Sequence, residues 1–171
     1  MLPAVYGGAM SDERISATRL VPVDPEAIRS VLSDPDGHVA IDASGMLQGA
    51  TGRRVSSVGD SFIVHMDREA LGDLPMGRYD VTVIITRHDP GGVEWTIHGT
   101  VKPPIGHVWG YELEPADEGG TRVTSYCDWS DAAPEWKPIF PVVGETALRA
   151  SLGLLERAVV RGYPRPASAT D

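Results

Sequence analysis

Gly144 to Gly162 reads GETALRASLGLLERAVVRG, and its apolar residues recur at the period of an α-helix. One stripe along this helix has spacings of four, three and four and consists of Leu148, Leu152, Leu155 and Val159. A second stripe, one position earlier, consists of Ala147, Ser151, Leu154 and Ala158. Gly162 and then Pro164 end the helix. An apolar face this wide must be buried against a large partner, so the stretch predicts a long helix packed on a sheet.

Length, charge and cysteine content narrow the classes of protein. The chain has 171 residues, enough for one domain with a sizeable core, and its net charge of −9 makes nucleic acid and anionic membranes poor partners. A single cysteine, Cys127, excludes a disulfide framework and a thiolate metal site. No apolar run reaches the roughly 20 residues of a membrane span. We therefore expect a cytoplasmic monomer or homodimer with no cofactor, no metal and no stable membrane insertion.

The domain is expected to span residues 15–163, between a flexible leader at 1–14 and a flexible tail at 164–171. A strand is predicted from Ile15 to Val23, and Asp24-Pro25 then has the composition of a helix start. Asp34-Pro35-Asp36-Gly37 is interpreted as the break that ends this first short helix. A second short helix is predicted from His38 to Asp42.

The middle of the chain alternates with a period of two, which is typical of strands. A weak strand is predicted at Arg53–Ser57, followed by strands at Ser61–Asp67, Arg78–His88, Val93–His98, His107–Glu114 and Arg122–Asp131. Short turns rich in glycine, proline and aspartate separate most of these segments, as expected for sequential hairpins. With the first strand, the pattern predicts an α+β fold in which a curved, seven-stranded antiparallel sheet wraps around the last helix.

The inward positions of this sheet vary widely in size, which favours a lined cavity over a solid core. The same alternation places large aromatic side chains beside the small Ser125 and Cys127. The predicted ligand-binding residues are Phe62, Val64, Tyr79, Trp95, Trp109, Tyr111, Ser125, Cys127 and Trp129. The alternative is that the aromatic members, Trp95, Trp109 and Trp129 among them, are ordinary core residues.

Two stretches of the chain resemble a known superfamily. HVAIDASG at His38–Gly45 and GHVWGYELEPADEGGTRVTSYCDWS at Gly106–Ser130 are similar to motifs of bacterial proteins labelled polyketide cyclase/dehydrase. Those proteins belong to the SRPBCC or START-like superfamily, and the resemblance implies its helix-grip fold. It also implies an apolar cavity for a lipid, sterol, polyketide or hormone. The chain departs from the motif at Ser125 and Cys127, where relatives tend to have an acidic residue and Phe.

Candidate catalytic groups are few. His65, His88 and His98 are expected to face solvent. His107 is in phase with the inward residues and can lie at the rim of the cavity, although we favour a structural hydrogen bond as its role. Asp42 either orients a ligand or, as we favour, caps the turn at Ser44-Gly45. Gly59-Asp60-Ser61 imitates an esterase motif but is interpreted as a turn, because no histidine follows the last strand.

Three functions are compatible with these features. The first is binding of a hydrophobic small molecule, lipid or polyketide-like, as a carrier or sensor. The alternative is a polyketide cyclase or dehydratase that uses the same cavity, with His107, Tyr111 and Asp42 as candidate groups. The third is an acidic protein-interaction module.

Overall fold

The computed structural model of the protein describes residues 13–72 and 75–164. Its strands are β1 (Arg14–Val21), β2 (Leu47–Thr51), β3 (Ser61–Asp67), β4 (Arg78–Asp89), β5 (Gly92–His98), β6 (Val108–Pro115) and β7 (Thr121–Asp128). Its α-helices are α1 (Pro25–Leu32), α2 (Pro35–Ala40) and α3 (Glu145–Arg161), and a 3-10 helix covers Pro134–Ile139. The expected leader and tail lie almost entirely outside the described residues.

The seven strands form one antiparallel sheet in the order β1-β7-β6-β5-β4-β3-β2. Strands β2 to β7 follow one another as neighbours, and β1 adds to the far edge by pairing with β7, with Ala17 opposite Ser125. Together with α3 and the two short helices, this is the predicted helix-grip architecture, and the fold prediction is confirmed.

Helix α3 buries most of the predicted stripe. Leu148, Leu152 and Leu155 are buried, together with Ala158 of the second stripe, whereas Val159 is only half-buried. Gly162 ends the helix with φ 79°. Its close neighbours in the sheet are β1 and β7, and α1 and α2 pack beside it. Because α3 lies mainly over the edge of the sheet formed by β1 and β7, it leaves the inner face of the central strands partly uncovered.

The predicted strand at Arg53–Ser57 is wrong, since the strand that pairs with β3 is β2, Leu47–Thr51. The register of β2 shifts between Leu47 and Gly49, which removes the regular alternation by which an edge strand is recognised. Residues 53–57 are exposed apart from Val55, whose backbone N–H donates to the Ser33 carbonyl oxygen at 2.9 Å.

The second helix begins earlier than predicted, at Pro35 rather than His38. Asp34 occupies its N-cap and accepts a hydrogen bond from the backbone N–H of Asp36 at 3.1 Å, so Asp-Pro here starts a helix instead of only ending one. A Cβ atom at Gly37 would lie 2.1 Å from the Val31 carbonyl oxygen. Glycine is therefore required for α2 to approach the end of α1.

Candidate functional site

A cavity of about 160 Å³ lies between α3, the inner face of the sheet and the connection from α2 to β2. Most of its wall is apolar, and the sheet contributes Val64, Val81, Val83, Trp95, Ile97 and Trp109. Helix α3 contributes Ala147, Leu148 and Ser151. The wall is therefore built largely by the inner face of the central strands, which α3 does not cover.

The strand register explains this wall. Trp95 on β5 lies opposite Trp109 on β6, and Tyr111 on β6 lies opposite Ser125 on β7. Facing residues of antiparallel strands point to the same side of a sheet. Because Ser125 is small, its side chain leaves the space over the inner face of β7 unfilled.

A group of hydroxyls lies at one part of the wall. The Tyr111 side chain is buried, and its hydroxyl lies beside the hydroxyls of Ser125 and Ser151. Burial raises the pKa of Tyr111 to about 12, so the phenol stays neutral and can donate a hydrogen bond. The cavity thus has a neutral polar group within an apolar wall.

His38 is a second polar element of the wall, and only 4% of it is exposed. Its ring lies 4.8 Å from the Phe62 ring and 4.5 Å from the Trp95 ring, measured between centroids. Its Nε2 atom is 2.7 Å from the Leu32 carbonyl oxygen at the end of α1. Desolvation lowers the pKa of His38 to about 4, against a smaller raising effect of the Leu32 hydrogen bond and of the Asp34 charge.

Asp42 also borders the cavity, but its carboxylate has a structural role. Oδ1 accepts the backbone N–H of Ser44 at 2.9 Å, and Oδ2 accepts the backbone N–H of Leu47 at 3.0 Å. These bonds hold the turn that leads into β2, which agrees with the favoured interpretation of Asp42 as a cap.

Five of the nine predicted ligand-binding residues line this cavity: Val64, Trp95, Trp109, Tyr111 and Ser125. The other four lie outside its lining. Phe62 packs behind His38, and Tyr79 is a half-buried residue at the margin of the main core. Cys127 and Trp129 belong to a separate cluster with Ala132. Ser151, which also lines the cavity, lies in the second stripe of α3, but its position did not indicate a pocket.

The separate cluster fills one end of the sheet. Trp129 stacks on Phe140 at 5.5 Å between centroids, and His107 lies 4.9 Å from the same Phe140 ring. His107 does not lie at the cavity rim, which is the less favoured of its two interpretations, because the chain after the 3-10 helix brings Phe140 over this end. Burial raises the pKa of the Cys127 thiol, which keeps it protonated.

The remaining histidines differ from one another. His65 has 45% of its side chain exposed and bonds to Asp80 and Thr51, as expected for the outer face. His88 is half-buried rather than solvated, because its Nε2 lies 2.8 Å from the Ser33 hydroxyl. His98 is also half-buried. Over residues 13–72 and 75–164, no group of three acidic, histidine or cysteine residues is placed to hold a metal ion.

Two buried histidines predict a pH dependence of stability. Burial lowers the pKa of both His38 and His107 from 6.5 to about 4. Between these values the unfolded chain binds more protons than the folded one, so acidification favours unfolding. We expect the free energy of unfolding to fall from pH 6.5 towards pH 4, by up to about 1.4 kcal/mol per pH unit for each histidine. Urea denaturation across this range measures the slope.

The substitution His107→Leu separates the two contributions. The Nδ1 atom of His107 is buried and has no hydrogen-bond partner among the described residues, so the substitution removes no bond at that atom. We expect the slope to fall by about half. A profile that is flat for the unmodified protein, or unchanged by the substitution, would contradict the assignment of His107.

Comparison with known proteins identifies the fold. No family model and no curated protein matches the sequence. An AHSA1-like protein from Aeromonas hydrophila is similar in structure, with 19% identity, a TM-score of 0.54, and coverage of 90% of this chain and 99% of that chain. Protein Ms6760 from Mycobacterium smegmatis shows 15% identity, a TM-score of 0.61, and coverage of 88% and 92%.

A third similar structure is the truncated norcoclaurine synthase from Thalictrum flavum, with 15% identity and a TM-score of 0.59. That match covers 87% of this chain and 94% of the other. At such identities the likeness establishes a shared START-like helix-grip fold, without establishing an activity. Among the described residues, no helix is long and apolar enough to cross a membrane.

Proposed function

We propose that this chain, a protein of the START-like helix-grip fold, binds a hydrophobic small molecule in the cavity beneath α3 and acts as a carrier or sensor. The observation that carries the proposal is the cavity itself, whose wall is made mostly of aliphatic and aromatic side chains. Concave apolar sites with a few polar groups are typical of small-molecule binding. The proposed ligand is lipid-like or polyketide-like, and the proposed setting is the cytoplasm, as a monomer or homodimer.

The size of the cavity favours a compact ligand. An apolar cavity of about 150 Å³ is large enough for a benzene-sized ring. The present cavity is similar in volume and has Trp95 and Trp109 in its wall. We therefore propose that a ring or a short branched chain occupies the cavity.

The proposal is tested by calorimetric titration with 4-propylanisole, a neutral apolar molecule with one ring. We expect saturable binding with a negative heat-capacity change, which is the sign of buried apolar surface. Mass spectrometry of the protein purified under native conditions identifies any molecule that it retains. Absence of binding to 4-propylanisole, together with no retained molecule, would contradict the proposal.

A polyketide cyclase or dehydratase is the second candidate, supported by the neutral Tyr111 hydroxyl in the apolar wall. That hydroxyl is suited to donate to a developing oxyanion. The expected partners are less well placed, because both Asp42 oxygens accept backbone hydrogen bonds and His107 lies outside the cavity lining. Norcoclaurine synthase, which is named as an enzyme, has a similar fold. An enzymatic function is therefore compatible with this fold. Turnover of a poly-β-keto chain would favour this candidate over a carrier.

A further inference from the structure

The tautomer of His38 follows from its contacts. A carbonyl oxygen only accepts hydrogen bonds, so the Nε2 atom at 2.7 Å from the Leu32 oxygen must carry the hydrogen. In a neutral imidazole the other nitrogen, Nδ1, then holds a lone pair and is an acceptor. Since Gly37 allows α2 to approach α1 closely, this orientation is set by the backbone of the two short helices.

The Nδ1 atom of His38 is free to accept a hydrogen bond from a ligand. The His38 ring borders the cavity, and no side chain or backbone N–H of the described residues donates to its Nδ1. Of the two neighbouring rings, Phe62 has no donor, and the indole N–H of Trp95 makes no hydrogen bond to the imidazole among the described residues. An acceptor without a partner in an apolar wall is costly once a ligand has displaced water from it.

The charges around the cavity disfavour an anionic ligand. No lysine or arginine occurs among the described residues of its wall, and Asp42 adds a negative charge at the border. A carboxylate in the cavity would lack a cationic partner and would lie near Asp42. A neutral ligand avoids this desolvation cost.

We propose that His38 Nδ1 accepts a hydrogen bond from a hydroxyl of the ligand, so that the cavity selects neutral ring alcohols of the phenol type over the matching ethers and acids. This inference rests on the proposed function, because it specifies the ligand class of the same cavity. A site that is built to pair with a hydroxyl discriminates against an analogue without one, since its own polar group is then left unpaired.

The test compares three ligands that share one ring and one propyl chain. Calorimetry is used to measure the affinities of 4-propylphenol, 4-propylanisole and 4-propylbenzoate. We expect the phenol to bind about tenfold more tightly than the anisole, and the benzoate to bind most weakly. Equal affinity for phenol and anisole, or tightest binding of the benzoate, would overturn the inference while leaving the proposed function in place. Binding of none of the three would overturn the inference, and it would overturn the proposed function as well if the purified protein also retains no molecule.

A spectroscopic measurement identifies the residue involved. In ¹⁵N NMR spectra of the imidazole side chains, the His38 Nδ1 resonance should shift on addition of 4-propylphenol and should shift much less with 4-propylanisole. The Nε2 resonance should stay in the protonated range throughout. An Nδ1 resonance unmoved by bound phenol would overturn the assignment, whatever the affinities are.

The substitution His38→Phe should reduce the preference for phenol over anisole to about one, because it keeps a ring but removes the acceptor. The same substitution on the outer face, His65→Phe, is the matched control and should keep the preference. If His38→Phe fails to fold, the NMR measurement on the unmodified protein still decides. Loss of the preference in Ser151→Ala and not in His38→Phe would place the hydroxyl beside Tyr111 and overturn the proposal.

Discussion

Replacing Leu152 by alanine is expected to lower the free energy of unfolding by about 2–5 kcal/mol, as for other truncations of fully buried leucines. Leu152 is in the middle of α3 and is 1% exposed. It is part of the main core and does not line the cavity, so removal of its side chain leaves a new void. Urea denaturation monitored by tryptophan fluorescence measures the change.

The next residue on α3 supplies a matched control. A Cβ atom at Gly153 would meet only the Arg19 guanidinium nitrogen, at an ordinary distance of 3.6 Å. Gly153→Ala should therefore stabilise the helix by about 0.5–1 kcal/mol, because alanine has the higher helix propensity. A loss below about 1 kcal/mol for Leu152→Ala would show that α3 is not held on the sheet through this residue.

Ser125→Phe is expected to abolish binding of 4-propylanisole while changing the stability little. Ser125 is 3% exposed, borders the cavity and lies opposite Tyr111. A phenylalanine ring has about the size of the benzene molecule that a cavity of about 150 Å³ accommodates. The new ring would therefore occupy the ligand's space. In a solid core, the same enlargement would cost about 1–3 kcal/mol through overpacking.

The control for this experiment is Thr124→Phe, the same substitution one residue earlier on β7. Thr124 faces the outer side of the sheet, where its hydroxyl pairs with that of Thr18 at 3.0 Å. Calorimetry and thermal denaturation are carried out on both variants. We expect Thr124→Phe to retain binding, because the outer face does not border the cavity. Undiminished binding by a folded Ser125→Phe variant would place the ligand elsewhere.

Much of the architecture could be predicted because it depends on periodicity. The stripe from Leu148 to Leu155 indicates one buried helix face, and alternation in β4 to β7 indicates one inward sheet face. Short segments were predicted less well. The shift in register hides β2, and Asp34-Pro35 is both the end of one helix and the start of the next. In such short segments, a few tertiary contacts outweigh the intrinsic secondary-structure preference of the residues.

The sequence by itself determined the fold and, for β4 to β7, the side of the sheet on which each residue lies, because both follow from periodicity in the backbone geometry. Ser125 and Cys127 alternate identically, yet Ser125 borders the cavity and Cys127 is enclosed in the cluster with Trp129. Only the tertiary structure decided which of the two borders the cavity. Alternation specifies the face of the sheet to which a side chain points, but it does not specify what packs against that face. Phe140 covers the end of the sheet that carries Trp129, while the inner face around Ser125 borders the cavity beneath α3. His38 lies at the cavity because α2 packs closely against α1 through their backbones. The pattern of apolar and polar side chains gives no indication of that contact.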